Sequence, residues 1–331
     1  MRIKAEEKWM MRAVELAGRA GEGTRPNPRV GAILVKGGRP VGAGFHRGAG
    51  QPHAEAIAIQ KAGASARGAD LYVTLEPCSS HGRTPPCTGA IRRAGIKRVI
   101  FGSSDVDPKN AARSERILQQ AGIQVVRGVL TRECDHLNED YFFWTRTQQP
   151  WVILKLAMTL EGFLAVPGKK WITGPQARNE VQKIRAGCDA ILVGAETVRR
   201  DNPRLTVRTR KLDSQPWRVV VTKSGRLPRR AKIFTDAHRS RTLVYRGGWS
   251  AVLRDLYRRG VCRLLVEGGA KTAAGLIAAG LVNEVVLFFA PESAAQGGAQ
   301  VRGWAGWDWR RVTATGAGRD LCLRGTLKGA N

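Results

Sequence analysis

Thr74-Leu75-Glu76-Pro77-Cys78-Ser79-Ser80-His81-Gly82-Arg83-Thr84-Pro85-Pro86-Cys87, with Pro52-His53-Ala54-Glu55 upstream, is the stretch on which the fold turns. Leu71–Leu75 is a short apolar run and predicts a buried strand that ends at Pro77-Cys78. The spacing predicts a helix over 53–63 ending on glycine, and another over 86–94 closed by Gly95. One strand end and two helix starts would therefore carry a histidine and two cysteines. Imidazole and thiolate are the ligands that Zn²⁺ prefers, and three protein ligands leave one position open, as a catalytic site requires.

Two thiolates nearly neutralise the charge of Zn²⁺, so water there needs a nearby base. Glu55 lies two residues after the histidine, at the start of the same helix, where it can act without ligating. This order, His-x-Glu followed by Pro-Cys and a second Cys, is that of zinc deaminases acting on nucleobases. Each piece alone has a bland reading: a histidine at a helix start is usually a cap, and a buried cysteine a small hydrophobe. A purely structural zinc would need a fourth ligand. His81 is the candidate for that, with contact to substrate as its alternative role. The cysteines are separated by eight residues, more than in deaminases of nucleic-acid bases. The longer loop adds an imidazole, an arginine and a hydroxyl, which suit a phosphate or polar ring substituents.

Outward from this core, alternation continues. Apolar spacing over 5–20 predicts a helix, and Val30–Val35 and Val41–Phe45 a hairpin across Gly37-Gly38. Further elements are expected at 98–101, 114–121 and 125–129, with one helix over 134–147. Gln148-Gln149-Pro150 marks a boundary, and strand–helix alternation restarts at Trp151 and runs to Glu284–Ala290. Two α/β domains follow, at 1–148 and 149–331, each a largely parallel or mixed sheet flanked by helices.

The chain has 331 residues and a net charge of +28. The first 150 residues carry 23 basic and 14 acidic side chains, the remainder 32 and 13, so the excess rises from +9 to +19. Such a charge attracts phosphorylated small molecules, nucleic acid and acidic surfaces alike, or reflects nothing more than arginine-rich solvated faces. The six cysteines are scattered, which argues against a disulfide scaffold. No apolar run is long enough to span a membrane and the N-terminus lacks a signal-peptide pattern, so a cytoplasmic protein is expected. The second half has no Gly-x-Gly-x-x-Gly. A strand at 264–266 does run into Glu267-Gly268-Gly269 and a helix, a turn at which backbone N–H groups could meet an anion or simply reverse the chain. Lys155, at the end of a buried strand, is either a rim residue or a site cation.

Pro26-Asn27-Pro28, Gly50…Pro52-His53-Ala54-Glu55 and the 74–87 segment resemble the bifunctional deaminase/reductase family of riboflavin biosynthesis. So do Lys155-Leu156-Ala157, Trp171-Ile172-Thr173, Asp201-Asn202-Pro203, Leu205-Thr206-Val207-Arg208 and Val266-Glu267-Gly268-Gly269. The resemblance implies a cytidine-deaminase-like α/β/α sandwich followed by a dihydrofolate-reductase-like α/β domain. It implies two cofactors, Zn²⁺ and NADPH, and a phosphorylated diaminopyrimidinone that is first deaminated and then reduced from ribosyl to ribityl. His53, Cys78 and Cys87 would hold zinc, and Glu55 would be catalytic. Asn27, His81 and Asp107 would touch the deaminase substrate. Ala157, Trp171, Thr197, Asp201, Gly268, Gly269 and Gly275 would hold NADPH. Lys155, Arg185, Leu205, Arg208 and Glu267 would hold the reductase substrate. A homo-oligomer through the reductase sheets is implied; a membrane or nucleic-acid partner is not.

The family pattern is altered at Asp107-Pro108-Lys109-Asn110, Gly168-Lys169-Lys170, Glu161-Gly162 and Thr222-Lys223, where contacts are expected to differ. Two other readings compete: a deaminase with a degenerate second domain or a related pyrimidine substrate, and a basic RNA-binding deaminase. Against the latter, no aromatic-plus-basic stacking motif occurs.

Overall fold

Gly37 and Gly38 turn the chain at φ +57° and +74°, angles that side chains with a Cβ resist. They join β1 (Gly31–Lys36) to β2 (Arg39–Phe45) as an antiparallel hairpin. The computed structural model describes residues 2–21, 23–107, 110, 113–169, 171–292, 300 and 307–327. The chain separates into two units, Met1–Thr147 and Gln148–Asn331.

The first unit contains α1 (Arg2–Gly18), α2 (Ala54–Ala62), β3 (Asp70–Leu75), α3 (Cys87–Arg93), β4 (Arg98–Ser103), α4 (Arg113–Gln120), β5 (Gln124–Arg127), α5 (Thr131–Leu137) and α6 (Glu139–Thr147). The sheet order is β2-β1-β3-β4-β5, with β1 antiparallel to both neighbours and β3, β4 and β5 parallel. The two-residue period of a strand assigns the faces. Ala32 and Leu34 of β1 pack with Ala54, Ala58, Ile91 and Leu118 from α2, α3 and α4. Ile33 and Val35 pack on the other face with Met10 and Ala13 of α1 and Cys134 of α5. An α/β/α sandwich results.

Helix α1 lies so close to β1 that a Cβ on Gly31 would come within 2.0 Å of the Ala13 carbonyl oxygen. Gly31→Ala should therefore destabilise this unit by about 1–3 kcal/mol, the usual cost of overpacking. A thermal melt checks this, and an unchanged melting temperature would show that α1 can retreat.

The helix expected over 134–147 is two helices. Asn138 breaks it because its side chain is used elsewhere: Oδ1 accepts from the Arg29 N–H at 2.7 Å and Nδ2 donates to the Arg29 carbonyl at 2.9 Å. That pair pins the segment between Asn27 and β1.

The second unit contains β6 (Trp151–Thr159), α7 (Pro175–Ala186), β7 (Ala190–Gly194), α8 (Ala195–Asp201), β8 (Trp217–Val221), α9 (Lys232–Thr235), β9 (Thr242–Tyr245), α10 (Trp249–Arg258), β10 (Arg263–Val266), α11 (Ala270–Ala278), β11 (Glu284–Ala290), β12 (Trp309–Ala317) and β13 (Asp320–Leu327). The order is β12-β13-β11-β6-β10-β7-β8-β9. From β11 to β9 all neighbours are parallel, while β13 and β12 join antiparallel. The β12–β13 hairpin is not legible from alternation, because Arg310 to Gly316 of β12 are exposed on both faces. Strand β10 returns between β6 and β7, so the chain reverses its direction of sheet growth there. Open α/β sheets bind ligands beyond the carboxyl ends of strands at such a point. Among the described residues no helix is long and apolar enough to cross a membrane.

Candidate functional site

In the first unit, the ligand atoms of His53, Cys78 and Cys87 all lie within 4.8 Å of one another. His53 is the residue before α2, Cys78 follows β3, and Cys87 opens α3. His53 Nδ1 is 3.2 Å from Cys87 Sγ and 3.4 Å from Cys78 Sγ. Zn–S bonds of about 2.3 Å and Zn–N bonds of about 2.0 Å in a tetrahedron separate nitrogen and sulfur by roughly 3.5 Å. The donor set therefore fits zinc. Thr84 Oγ1, from the loop between the cysteines, lies 3.1 Å from His53 Nε2. A hydroxyl there accepts the Nε2 proton and leaves Nδ1 bare for a metal.

The three groups shift one another. Hydrogen bonds from Cys87 and His53 pull the Cys78 thiol down to about 4. The bond to the Cys78 thiolate, together with burial, pushes Cys87 up. The bond to Cys78 raises His53. Glu55 is 3% exposed, and its carboxyl is raised, first by burial and then by the Cys78 charge. A buried, raised carboxyl within reach of Cys87 is suited to taking up and returning a proton.

Of the other residues implied for this site, Asn27 is linked to the zinc ligands through His46. Asn27 Nδ2 lies 3.1 Å from Nε2 of His46, whose ring meets that of His53 edge-on at 5.3 Å. His81 is exposed in the inter-cysteine loop, with Nδ1 3.1 Å from the Gly82 carbonyl oxygen. Asp107 donates its N–H to Asp105 Oδ1 at 3.0 Å.

Sequence reasoning did not find the network that holds this loop. Asn110 Oδ1 accepts from the Ser79 N–H and Ser80 N–H, each at 3.2 Å, and from Ser80 Oγ at 2.8 Å. Its Nδ2 donates to Asp105 at 3.0 Å, and Asp105 also accepts from Tyr141 at 3.4 Å. Glu76, beside the Pro-Cys pair, accepts from Ser114 Oγ at 2.7 Å and the Asp105 N–H at 3.2 Å. Asn110 is thus engaged with the loop backbone. Lys109 lies outside the described residues.

In the second unit the charged residues gather at the carboxyl end of β10 and beside it on β6. Lys155 lies inside β6 rather than at its end as expected, because the strand runs on to Thr159. Arg185 and Glu267 form a two-pronged pair, Nε to Oε1 at 2.6 Å and Nη2 to Oε2 at 2.8 Å, while Arg185 Nη1 reaches the Thr206 carbonyl at 3.2 Å. Burial would raise Glu267, but Arg185 and Lys155 hold its carboxyl below the usual range. Burial lowers the Lys155 ammonium, with Glu267 opposing and Arg185 adding to the drop. Arg208 feels Arg185, Arg204 and Glu267. Leu205, buried at φ +52°, holds the turn between Arg204 and Arg208. Glu267 thus stands among three cations, Arg185, Lys155 and Arg208, and Arg185 takes both of its oxygens. The remaining positive charge suits an anion.

Beside it, Thr272 packs so tightly that a Cβ on Gly194 or Gly268 would lie 2.5 Å from its side chain. Glycine at both turns brings the starts of α8 and α11 together, and Gly269 faces Thr197. Helix starts present free N–H groups and positive dipole ends, which fits a dinucleotide phosphate. Ala157 lies on β6 opposite Phe288. Trp171 is 60% exposed, with the Arg178 guanidinium 5.4 Å from its ring. Asp201 and Gly275 are not brought to the helix starts. Asp201 ends α8, about 9 Å along its axis from Ala195. Gly275 lies inside α11 against the Trp249 indole. Lys169 pairs with Glu292, and Lys223 is exposed.

Residues 3–103 match the zinc-binding region of cytidine and deoxycytidylate deaminases, and residues 150–301 match the RibD C-terminal domain. Riboflavin biosynthesis protein RibD of Aquifex aeolicus is 37% identical over 315 residues, 88% of this chain and 88% of that protein. RibD of Escherichia coli is 39% identical over 322 residues, 87% of this chain and 88% of that protein. Among solved structures, Acinetobacter baumannii RibD superposes with a TM-score of 0.89 at 34% identity, covering 98% of this chain and 99% of that one. A Thermotoga maritima protein described as a diaminohydroxyphosphoribosylaminopyrimidine deaminase/5-amino-6-(5-phosphoribosylamino)uracil reductase gives 0.86 at 32%, covering 99% and 100%. With His53, Cys78 and Cys87 grouped as zinc ligands in the first unit, and with relatives matched along nearly their whole length, the chain belongs to the RibD family of riboflavin-biosynthesis proteins.

Proposed function

We infer that the chain is a bifunctional enzyme of riboflavin biosynthesis. It hydrolyses the 2-amino group of 2,5-diamino-6-(5-phosphoribosylamino)pyrimidin-4(3H)-one and then reduces the ribosyl chain of the product to ribityl. The observation that carries this is the convergence of His53, Cys78 and Cys87 beside a buried Glu55.

His53, Cys78 and Cys87 are the residues that would hold zinc. Bound Zn²⁺ supplies Lewis acidity that activates water at neutral pH. Glu55 takes a proton from the attacking water and gives it to the ring nitrogen, then takes the proton of the new hydroxyl group and gives it to the amine, which leaves as ammonia. Asn27, His81 and Asp107 orient the pyrimidine. In the second unit NADPH supplies hydride. The α11 start, Gly268, Gly269, Thr197, Ala157 and Trp171 would hold it, with Asp201 and Gly275 taking outlying contacts. Lys155, Arg185, Arg208 and Glu267 bind and orient the phosphorylated chain, and Leu205 shapes the pocket wall. We assign the two chemistries to 1–148 and 149–331, and we expect the protein to assemble with copies of itself, which light scattering would measure.

Adding the diaminopyrimidinone should shift its ultraviolet absorbance as the amino group leaves. Zinc should be present at about one per chain. Cys87→Ser should lose most of it, while Cys188→Ser keeps it, because Cys188 lies in the other unit. Elemental analysis decides, and unchanged zinc in Cys87→Ser would remove that ligand from the set.

A further inference from the structure

We propose that His46 is a positioning residue of the deaminase site: it fixes the side-chain amide of Asn27 so that Oδ1 is the atom offered to the pyrimidine, as an acceptor. The proposal rests on the deaminase reading above and adds a reason for its choice of ring.

His46 directly follows β2 and is 3% exposed. Its backbone N–H is held by the Val30 carbonyl at 2.9 Å. Its Nδ1 lies 3.2 Å from the Pro52 carbonyl oxygen. A carbonyl can only accept, so Nδ1 carries the proton. A neutral imidazole has one donor and one acceptor, so Nε2 is the acceptor. The atom 3.1 Å from Nε2 must then donate, and in the Asn27 amide only Nδ2 can. The amide is thereby oriented, and among the described residues Oδ1 of Asn27 has no partner. The edge-on contact between His46 and His53 sets this pair beside the zinc ligands.

An acceptor at this point selects a ring edge that carries an N–H. The lactam edge of a 2-aminopyrimidin-4-one has an N–H next to the carbon that loses its amine. A cytosine-type ring has a bare nitrogen next to its reacting carbon and would meet Oδ1 lone pair to lone pair. A site built on such a bond discriminates strongly, because the mismatch leaves polar groups unpaired.

Nitrogen-15 spectra of the zinc-loaded, histidine-labelled protein read the tautomer directly. The His46 signals are identified by their loss in His46→Gln. The expected result is a protonated Nδ1 and a bare Nε2 at neutral pH; a protonated Nε2 would turn the Asn27 amide round and overturn the proposal. In kinetics, His46→Phe should keep zinc and lower deaminase kcat/KM by about 10- to 100-fold. His46→Gln should recover most of this, since its amide can donate to Pro52 and accept from Asn27. Equal losses in the two variants would overturn positioning as the role. The tautomer is read without turnover and in the wild type. It therefore stands apart from misfolding of a variant, and from failure of the deaminase reading, which would show as no absorbance change with the wild type.

Discussion

Glu55→Gln should leave zinc and the fold intact and lower deamination by about two to four orders of magnitude, the range lost with a positioned acid/base. Glutamine matches glutamate in shape, so the packing of α2 against β1 and β2 is retained. What is lost is a proton acceptor in a site where two thiolates already offset the metal charge. The carboxyl is raised by burial, which places it nearer to neutrality than a surface glutamate and lets one group serve as base and then as acid. The variant should still oxidise NADPH when given the deaminated intermediate, because Glu55 lies in the first unit and the reductase residues in the second. Near-normal deamination by Glu55→Gln would move the proton transfer to another group, with His81 the next to test.

Glu267→Ala should have the converse effect. It should abolish NADPH oxidation, by about 100-fold or more at a residue that orients substrate, and leave deamination untouched. The Arg185 and Glu267 side chains are each 11% exposed, and both Glu267 oxygens are used by Arg185. Removing one partner of such a pair strands a buried charge and costs about 3–5 kcal/mol. A two-step thermal melt should show this loss in the second unit alone. Glu267→Gln, which keeps one acceptor for Arg185, should melt closer to the wild type while still losing reductase activity. If Glu267→Gln reduced substrate normally, the carboxylate would be a structural partner of Arg185 and nothing more.

The zinc group was legible because its parts sit at a strand end and two helix starts, positions that local patterning locates. Glu55 was legible for the same reason, two residues into the same run. His46 was not. It is one histidine between a strand and a glycine loop, and its significance comes only from Pro52 and Asn27 meeting it in space. The role of Asn110 was not legible either, because nothing local reveals three donors from Ser79 and Ser80 converging on one oxygen. The break at Asn138 depends on Arg29, 109 residues away. In the second unit the glycines at 268 and 269 were readable as a turn, but their spacing from Gly275 concealed that Gly275 packs on Trp249. The exposed β12 carries no apolar alternation to read, since an edge strand open on both faces has no core to point at.

The claim that two independent sites act in series is tested most directly by following the nicotinamide absorbance in the presence of zinc-loaded protein and NADPH. Wild type should oxidise about one NADPH per molecule of substrate, whether it is given the diaminopyrimidinone or the purified deaminated intermediate. Glu55→Gln should do so with the intermediate alone. No NADPH oxidation by the wild type with the intermediate would contradict the account, and the second unit would then be a reductase fold without a reductase.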